Sequence, residues 1–124
     1  MTPPASPPVI RPVSPGDLGW IVERHGALYA AADGFDATFA ALVHQIAADF
    51  LAAHDPVREA GWIAEAAGAR AGCIFCVAET PGGDVAKVRL FLVEPSWRGT
   101  GLAPDLLDTC MGFARAAGYR HIRL

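Results

Sequence analysis

The chain has 124 residues, of which 52% are hydrophobic and 19% charged, and its formal net charge is −3. This length supports one domain with a real hydrophobic core, and the composition excludes extensive disorder. The negative charge argues against a general nucleic-acid binder or membrane-surface protein. No apolar run approaches the length of a membrane-spanning helix, and the first residues lack the regions of a signal peptide. We therefore expect no nucleic-acid binding and no membrane association.

The three cysteines, Cys73, Cys76 and Cys110, indicate structural thiols rather than a metal site. Cys73 and Cys76 have the C-x-x-C spacing of zinc ligands, but no second pair follows them. They also lie in a strand-like run, where positions three apart face opposite sides of a sheet. We expect no metal ion, and free thiols in a reducing cytoplasm.

The first half predicts a tail, a short strand and two helices. Residues 1–8 contain many prolines and form a flexible tail, and 9–11 could make a strand. A helix begins at Ser14-Pro15-Gly16-Asp17. Asp36 can cap a second helix, which ends at Asp55-Pro56. Its buried face is predicted from the spacing of Phe39, Leu42, Val43, Ile46, Ala47, Phe50 and Leu51.

The second half predicts a three-strand meander. Strands at 62–65 and 71–80 flank a turn over 66–70, and a hairpin turn at 81–84 leads to a strand at 85–93. On that last strand, simple alternation places Ala86, Val88, Leu90 and Leu92 on one face and Lys87, Arg89 and Phe91 on the other.

The turn Arg98-Gly99-Thr100-Gly101-Leu102-Ala103 leads directly into an amphipathic helix that ends at Gly118. A strand begins at Tyr119, so the helix should join two parallel strands through a right-handed crossover. The predicted class is mixed α/β (α+β), with a mainly antiparallel sheet flanked by helices.

A two-glycine turn at a helix N-terminus can bind a phosphate, because that end presents unpaired N–H groups and positive dipole charge. A purely structural turn is about as well supported by these residues alone. The turn lacks the Gly-Lys-Ser/Thr ending of a Walker A loop, and its glycines do not fit the dinucleotide-binding fingerprint.

The longer run LFLVEPSWRGTGLAPDLLDTCMGFARAAGYRHIRL resembles the signature segment of the GNAT superfamily of N-acetyltransferases. The family motif Arg/Gln-x-x-Gly-x-Gly/Ala is matched by Arg98, Gly101 and Ala103. The resemblance covers about residues 9–124. The run from RHGALYA to HDPVREAGWIAE also looks like acetyltransferase domains fused to winged-helix regulators in bacterial proteins.

The resemblance implies that acetyl-CoA is the co-substrate and that this segment holds it. The donor site would comprise the strand end and the glycine turn, namely Phe91, Leu92, Val93, Arg98, Gly99, Thr100, Gly101, Leu102 and Ala103. The strand end would pair with the pantetheine arm, and backbone N–H groups of the turn would bind the pyrophosphate. The acceptor would be an amine of a small molecule or a protein.

The catalytic residues are less defined. Some family members carry a base glutamate four residues before the pantetheine-pairing segment, but that position is Lys87 here. Glu65, Glu79 and Glu94 are the remaining candidates, and water could carry the proton instead. Tyr29 and Phe35, in the linker between the first two helices, are candidates to line the acceptor site.

If the resemblance holds, this sequence lacks the last strands and the last helix of the family's fold. The family's usual general acid is a tyrosine on that helix. Tyr119 is a poor substitute for that acid and is expected to pack at the helix end. A truncated product and a homodimer that completes the sheet both remain open. The alternative to an active enzyme is therefore an acyl-CoA-binding or regulatory fragment without turnover.

Overall fold

The computed structural model describes residues 7–33 and 37–124, with the side chains of 30–37 excepted. In chain order, the strands and helices are β1 (Val9–Pro12), α1 (Leu18–Asp33), α2 (Ala37–Ala53), β2 (Ala60–Ala66), β3 (Ala69–Ala78), β4 (Val85–Val93), α3 (Leu102–Ala116) and β5 (His121–Arg123). Single 3-10 turns at Pro15–Asp17 and Pro95–Trp97 precede α1 and α3. The mixed α/β class is confirmed, with a mainly antiparallel five-stranded sheet.

The chain divides into two units. Residues 1–13 and 56–124 contain the sheet and α3, here called the sheet unit, and residues 14–55 contain α1 and α2, here called the helical pair. Most of the tail predicted for residues 1–8 lies outside the described residues, as do the predicted Asp36 cap and Phe35.

The helical pair begins with the predicted cap. Ser14 donates its backbone N–H to the Asp17 carboxylate at 2.8 Å, and Asp17 is fully buried. On α2, Val43, Ala47 and Phe50 are buried as predicted, but Leu42 is 55% exposed. Because successive helical residues are rotated by about 100°, Leu42 lies at the rim of the stripe rather than on the buried face.

In the sheet unit, β1 to β4 pair antiparallel in chain order, and β5 pairs parallel with β4. The predicted parallel pairing of the two strands that α3 connects is therefore confirmed. The helix packs on one face of the sheet through its predicted apolar stripe, in a core formed by Ala64, Ala71, Ile74, Cys76, Ala86, Val88, Leu102, Leu106, Cys110, Ala114 and Tyr119.

Several strand bounds differ from the sequence prediction. Strands β2 and β3 are joined by a tight turn at Ala67 and Gly68, both with positive φ, and not by the predicted five-residue turn. Such a two-residue hairpin connection matches the natural twist of the strands, so pairing extends to Ala66 and Ala69. At their other ends, β3 stops at Ala78 and β5 does not begin until His121.

A β-bulge at Leu90 overturns the predicted alternation of β4. Arg89 pairs with Phe75 and Leu92 with Cys73, so two residues of β4 face one residue of β3. Leu90 adopts a left-handed conformation with φ of 50°. Such a bulge shifts the side-chain alternation by one residue. Phe91 and Val93, and not Leu90 and Leu92, therefore join Ala86 and Val88 in the core against α3.

Candidate functional site

The glycine turn between β4 and α3 has the backbone shape of an anion-binding loop. Gly99 and Gly101 have φ of 78° and 92°, a region that glycine enters without steric cost. No atom lies within 4 Å of the positions that Cβ atoms would occupy at these glycines, so both face open space. The Thr100 hydroxyl donates to the Trp97 carbonyl at 2.5 Å and closes the turn, and Arg98 is exposed at its start.

The first turn of α3 adds unpaired donors. Asp105 donates its N–H to the Gly101 carbonyl at 3.1 Å, and Pro104 has no N–H to donate. Within the described part of the chain, the N–H groups of Gly99, Gly101, Leu102 and Ala103 donate to no protein acceptor. A helix N-terminus with such donors carries partial positive charge and can bind a phosphate or another anion.

The end of β4 has an open edge beside this turn. Glu94 donates its N–H to the Ala71 carbonyl at 2.8 Å, so alternation directs the polar backbone groups of Val93 toward the opposite edge. On that edge, β5 pairs only with Val85 to Lys87. Among the described residues, Val93 therefore faces no neighbouring strand there, and its N–H and C=O are available to an extended ligand.

The profile of the acetyltransferase (GNAT) family matches residues 20–124. The chain belongs to this family. No curated protein matches the sequence of this GNAT chain. The narrower resemblance to domains fused to winged-helix regulators stays a prediction.

Solved structures share the fold of this GNAT chain at low sequence identity. A predicted acetyltransferase from Clostridium acetobutylicum, solved with acetyl-CoA, has 17% identity and a TM-score of 0.75, over 94% of this chain and 80% of that one. A GCN5-related N-acetyltransferase from Ralstonia eutropha JMP134 has 22% identity and a TM-score of 0.70, with 94% and 82% covered. The acetyltransferase AAC(6')-Iy, in complex with the bisubstrate analogue CoA-S-monomethyl-acetylneamine, has 21% identity and a TM-score of 0.67, with 94% and 78% covered.

The structure separates the three candidate glutamates of this GNAT domain. Glu94 directly follows β4, is half-buried, and lies between the open edge and the glycine turn. Glu65 lies at the same end of the sheet, but its carboxylate binds Arg11 at 3.3 Å, toward β1 and away from β4. Glu79 adjoins Val85 at the other end of β4, roughly 25 Å from the turn at about 3.3 Å per residue. Of the three, only Glu94 adjoins the open edge and the turn.

The aromatic candidates for the acceptor site are only partly described. Tyr29 lies within α1 and not in a linker, because the helix continues to Asp33. Its ring stacks on His25 with centroids 5.7 Å apart and meets the edge of Phe39 at 5.9 Å. Tyr29 thus contributes to an aromatic group within the helical pair. Phe35 lies outside the described residues.

At the far end of α3, Tyr119 packs as predicted and binds a residue that the sequence analysis missed. Its hydroxyl donates to the Arg58 carbonyl at 2.7 Å, and the Arg58 guanidinium lies 4.2 Å from the ring centroid. Arg58 also donates to the carbonyl of Gly83 in the β3–β4 hairpin. Burial raises the pKa of Tyr119. No local motif marks Arg58, because its partners are distant in sequence.

The buried thiols lie on different faces of the sheet. Cys76 packs in the core under α3, where the Cys110 thiol donates a hydrogen bond to it. This bond lowers the pKa of Cys76 and raises that of Cys110, and burial raises the pKa of Cys110 further. Cys73 instead bonds to the carbonyl of Leu90. Among the described residues, no group of three or more metal-binding side chains occurs, and no helix is long and apolar enough to cross a membrane.

Proposed function

We propose that this chain binds acetyl-CoA at the glycine turn and transfers its acetyl group to an amine. The observation that carries the proposal is the set of unpaired N–H groups at Gly99, Gly101, Leu102 and Ala103. Hydrogen bonds to a charged group contribute roughly 1.5–3 kcal/mol each, so a few such donors can anchor a pyrophosphate. The exposed Arg98 would add a charged contact.

The open edge of β4 suits the pantetheine arm of the donor. An extended arm that contains amides can pair with the exposed backbone groups of Val93 much as a further strand would. The bulge turns the side chains of Phe91 and Val93 toward α3. The backbone of Leu92 pairs with β3, and the backbone groups of its two neighbours border the open edge. The thioester would then lie beside residues 91–93, next to the turn that holds the pyrophosphate.

The reaction would be direct attack by a neutral amine on the thioester carbon. The C–N bond forms as the C–S bond breaks, the amine loses its proton, and the CoA thiolate leaves and takes up a proton. Catalysed proton transfer contributes about 10²–10⁴ in rate. Glu94 is the candidate to accept the amine proton, directly or through water, because it adjoins the donor segment. Glu65 is directed toward Arg11, and Glu79 is too distant.

Acetyl-CoA binding tests the donor site most directly. The variant Gly101→Glu places bulk and negative charge against the pyrophosphate, and we expect affinity to fall at least tenfold in calorimetry. Gly118→Glu is the matched control, because Gly118 has φ of 93°, close to the 92° of Gly101, and lies at the other end of α3. Equal affinity of a folded Gly101→Glu variant and the parent chain would refute the donor site.

Turnover separates the enzyme from the binding-only alternative. Release of free CoA is measured with a panel of primary amines, for the parent chain and for Glu94→Gln. We expect Glu94→Gln to lower the rate about 10²-fold while acetyl-CoA affinity stays within twofold. Acetyl-CoA binding without amine-dependent release in the parent chain would support a regulatory or sensing role instead. A Glu94→Gln variant with the parent rate would assign the proton transfer to water.

A further inference from the structure

A row of positive side chains lies on the face of the sheet opposite α3. Ala86 and Val88 pack against α3, so the intervening Lys87 and the next residue, Arg89, point to the other face. Ile122 also packs in the core against α3, which places Arg123 on the same face as Lys87. The register sets Lys87 directly beside Arg123. These three residues, Lys87, Arg89 and Arg123, are called the cationic row.

The protein balances only part of this charge. Arg123 binds the Glu79 carboxylate at 2.5 Å. No acidic residue occurs within β3, β4 or β5, and the β3 neighbours of Lys87 and Arg89 are the apolar Val77 and Phe75. Within the described residues, neither the Lys87 nor the Arg89 side chain has a hydrogen-bond or ion-pair partner, although both are half-buried.

The usual structural reason for a lysine on a strand does not apply to Lys87. Charged side chains protect exposed sheet edges from pairing with other chains. Lys87, however, pairs with Val77 on one side and with Arg123 on the other, so it lies inside the sheet. Like charges side by side on one face destabilise a sheet, and partial burial increases their desolvation cost. An anionic ligand bound between these side chains would neutralise the unfavourable charge.

The cationic row lies within reach of the donor. Arg89 precedes the segment Phe91–Val93 by two to four residues, which corresponds to roughly 7–13 Å along a strand. That distance matches the separation between an amine and an anionic group in a small molecule. The donor's pyrophosphate would lie at α3, and the cationic row lies on the opposite face of the sheet, where Lys87 and Arg89 are only half-buried and can contact an acceptor.

We propose that the acceptor is a small amine that also carries a carboxylate or phosphate, and that Lys87 and Arg89 bind this anionic group. The proposal rests on the proposed function, because it places the acceptor beside the thioester. The Arg89 guanidinium can donate bidentate hydrogen bonds to either anion, and the Lys87 ammonium adds a positive charge. The chain as a whole carries a net charge of −3, so selection of an anion here depends on local charge.

The test compares acceptors that differ in one anionic group. Release of CoA is measured for alanyl-glycine against alanyl-glycinamide, and for O-phosphoserine against serine. We expect kcat/KM to be at least about tenfold higher for the anionic member of one or both pairs, which is the effect of one charge-assisted hydrogen bond. A preference in one pair alone identifies the anion as carboxylate or phosphate. Equal or lower kcat/KM for both anionic members would overturn the proposal.

Variants then assign the preference to the cationic row. Lys87→Gln and Arg89→Gln are each expected to remove most of the preference, mainly through KM, while acetyl-CoA affinity changes less than twofold. Arg115→Gln is the matched control, because it makes the same charge change on the exposed surface of α3. Because Lys87 adjoins Arg123, Lys87→Gln should also raise the melting temperature. A variant that is more stable and selectively poorer with anionic acceptors is not explained by a merely structural role.

A binding measurement keeps the two proposals separable. Calorimetry of alanyl-glycine and of its amide with the CoA-loaded chain needs no turnover. Tighter binding of the acid, lost in Arg89→Gln, would support the cationic row even if turnover is slow. Failure of acetyl-CoA to bind at all would overturn the proposed function. Normal acetyl-CoA binding without any advantage of the anionic member in either acceptor pair would overturn only this inference.

Discussion

The Sγ atom of Cys73 lies 3.1 Å from the carbonyl oxygen of Leu90, and the thiol donates a hydrogen bond to it. This contact joins the buried centre of β3 to the bulge of β4. Leu90 has φ of 50°, which is uncommon for a residue other than glycine, asparagine or aspartate. The thiol thus satisfies a carbonyl at a position where the regular ladder is interrupted. Beyond the bulge, Phe91 and Val93 turn toward α3.

The stability of variants at Leu90 should depend on the backbone conformation that each residue tolerates rather than on its hydrophobicity. Asparagine tolerates the left-handed region, whereas a β-branched residue is strained there. We expect Leu90→Val to be less stable than Leu90→Asn by about 1 kcal/mol, although valine is closer to leucine in hydrophobicity. Urea unfolding of both variants measures this order. A Leu90→Val variant clearly more stable than Leu90→Asn would show that the bulge is absent.

Gly72 is required by the close approach of β4 and α3. A Cβ atom at this position would lie 2.8 Å from the Leu92 carbonyl oxygen and 3.1 Å from a Leu106 methyl carbon. We expect Gly72→Ala to lower the free energy of unfolding by about 1–3 kcal/mol, because the added methyl group pushes β4 and α3 away from β3. Acetyl-CoA binding should also weaken, because β4 and the start of α3 hold the donor.

Gly112 supplies the opposite control for Gly72. It lies on α3, and no atom lies within 4 Å of its Cβ position. There, Gly112→Ala should raise the stability by roughly 0.5–1 kcal/mol, because alanine loses less backbone entropy in a helix. A loss of stability at both glycines, or at neither, would contradict the contact described for Gly72.

The Tyr119 hydroxyl should stabilise the fold in a pH-dependent way. Tyr119→Phe removes its 2.7 Å bond to the Arg58 carbonyl but keeps the ring under the guanidinium, so we expect a loss of about 1 kcal/mol at pH 7. Burial raises the pKa of Tyr119 in the folded chain. Its contribution is therefore complete below the usual tyrosine pKa of about 10 and is lost as pH rises through the higher folded pKa.

Unfolding curves between pH 7 and pH 11 measure this effect. The difference in unfolding free energy between the parent chain and Tyr119→Phe should shrink above pH 10. A difference that stays constant to pH 11 would mean that the hydroxyl does not titrate with a raised pKa. Equal stability of the two chains at pH 7 would show that the bond to Arg58 contributes nothing.

The three cysteines should resist modification in the folded chain. All are free and fully buried. The lowered pKa of Cys76 favours its reactive thiolate, but a reagent must reach the sulfur before that matters. We expect an aromatic disulfide reagent to label the native chain only as fast as it opens, and to label three thiols at once in denaturant. Saturating acetyl-CoA should slow the native reaction. Rapid labelling of one thiol in the native chain would contradict this burial.

The sequence predicted the features that depend on local patterns. The apolar stripe of α3, the cap at Ser14 and Asp17, the hairpin before β4 and the left-handed Gly118 after α3 each involve residues close in sequence. The glycine turn was predicted as an anion site for the same reason, because its donors belong to consecutive residues.

Features that depend on distant partners could not be predicted in this way. No residue near Leu90 in the sequence indicates that its backbone is left-handed. The alternation rule therefore placed Phe91 on the face opposite α3, which is wrong. That the Glu65 carboxylate is directed away from β4 depends on Arg11, which is remote in the chain. The charge conflict between Lys87 and Arg123 likewise appears only once the parallel register is known.

The pairing of β1 with β2 has a consequence for how the chain folds. Pro12 pairs with Trp62 and Val13 bonds to the Gly61 carbonyl at 2.9 Å, so these contacts close a loop of residues 14–60. Closing a long loop costs entropy before its contacts form, and such non-local pairing slows folding. The meander β2–β4 needs only short loops. We expect it to form first, and β1 to join it last as the slow step, seen in refolding as late protection of the amide hydrogen of Val13.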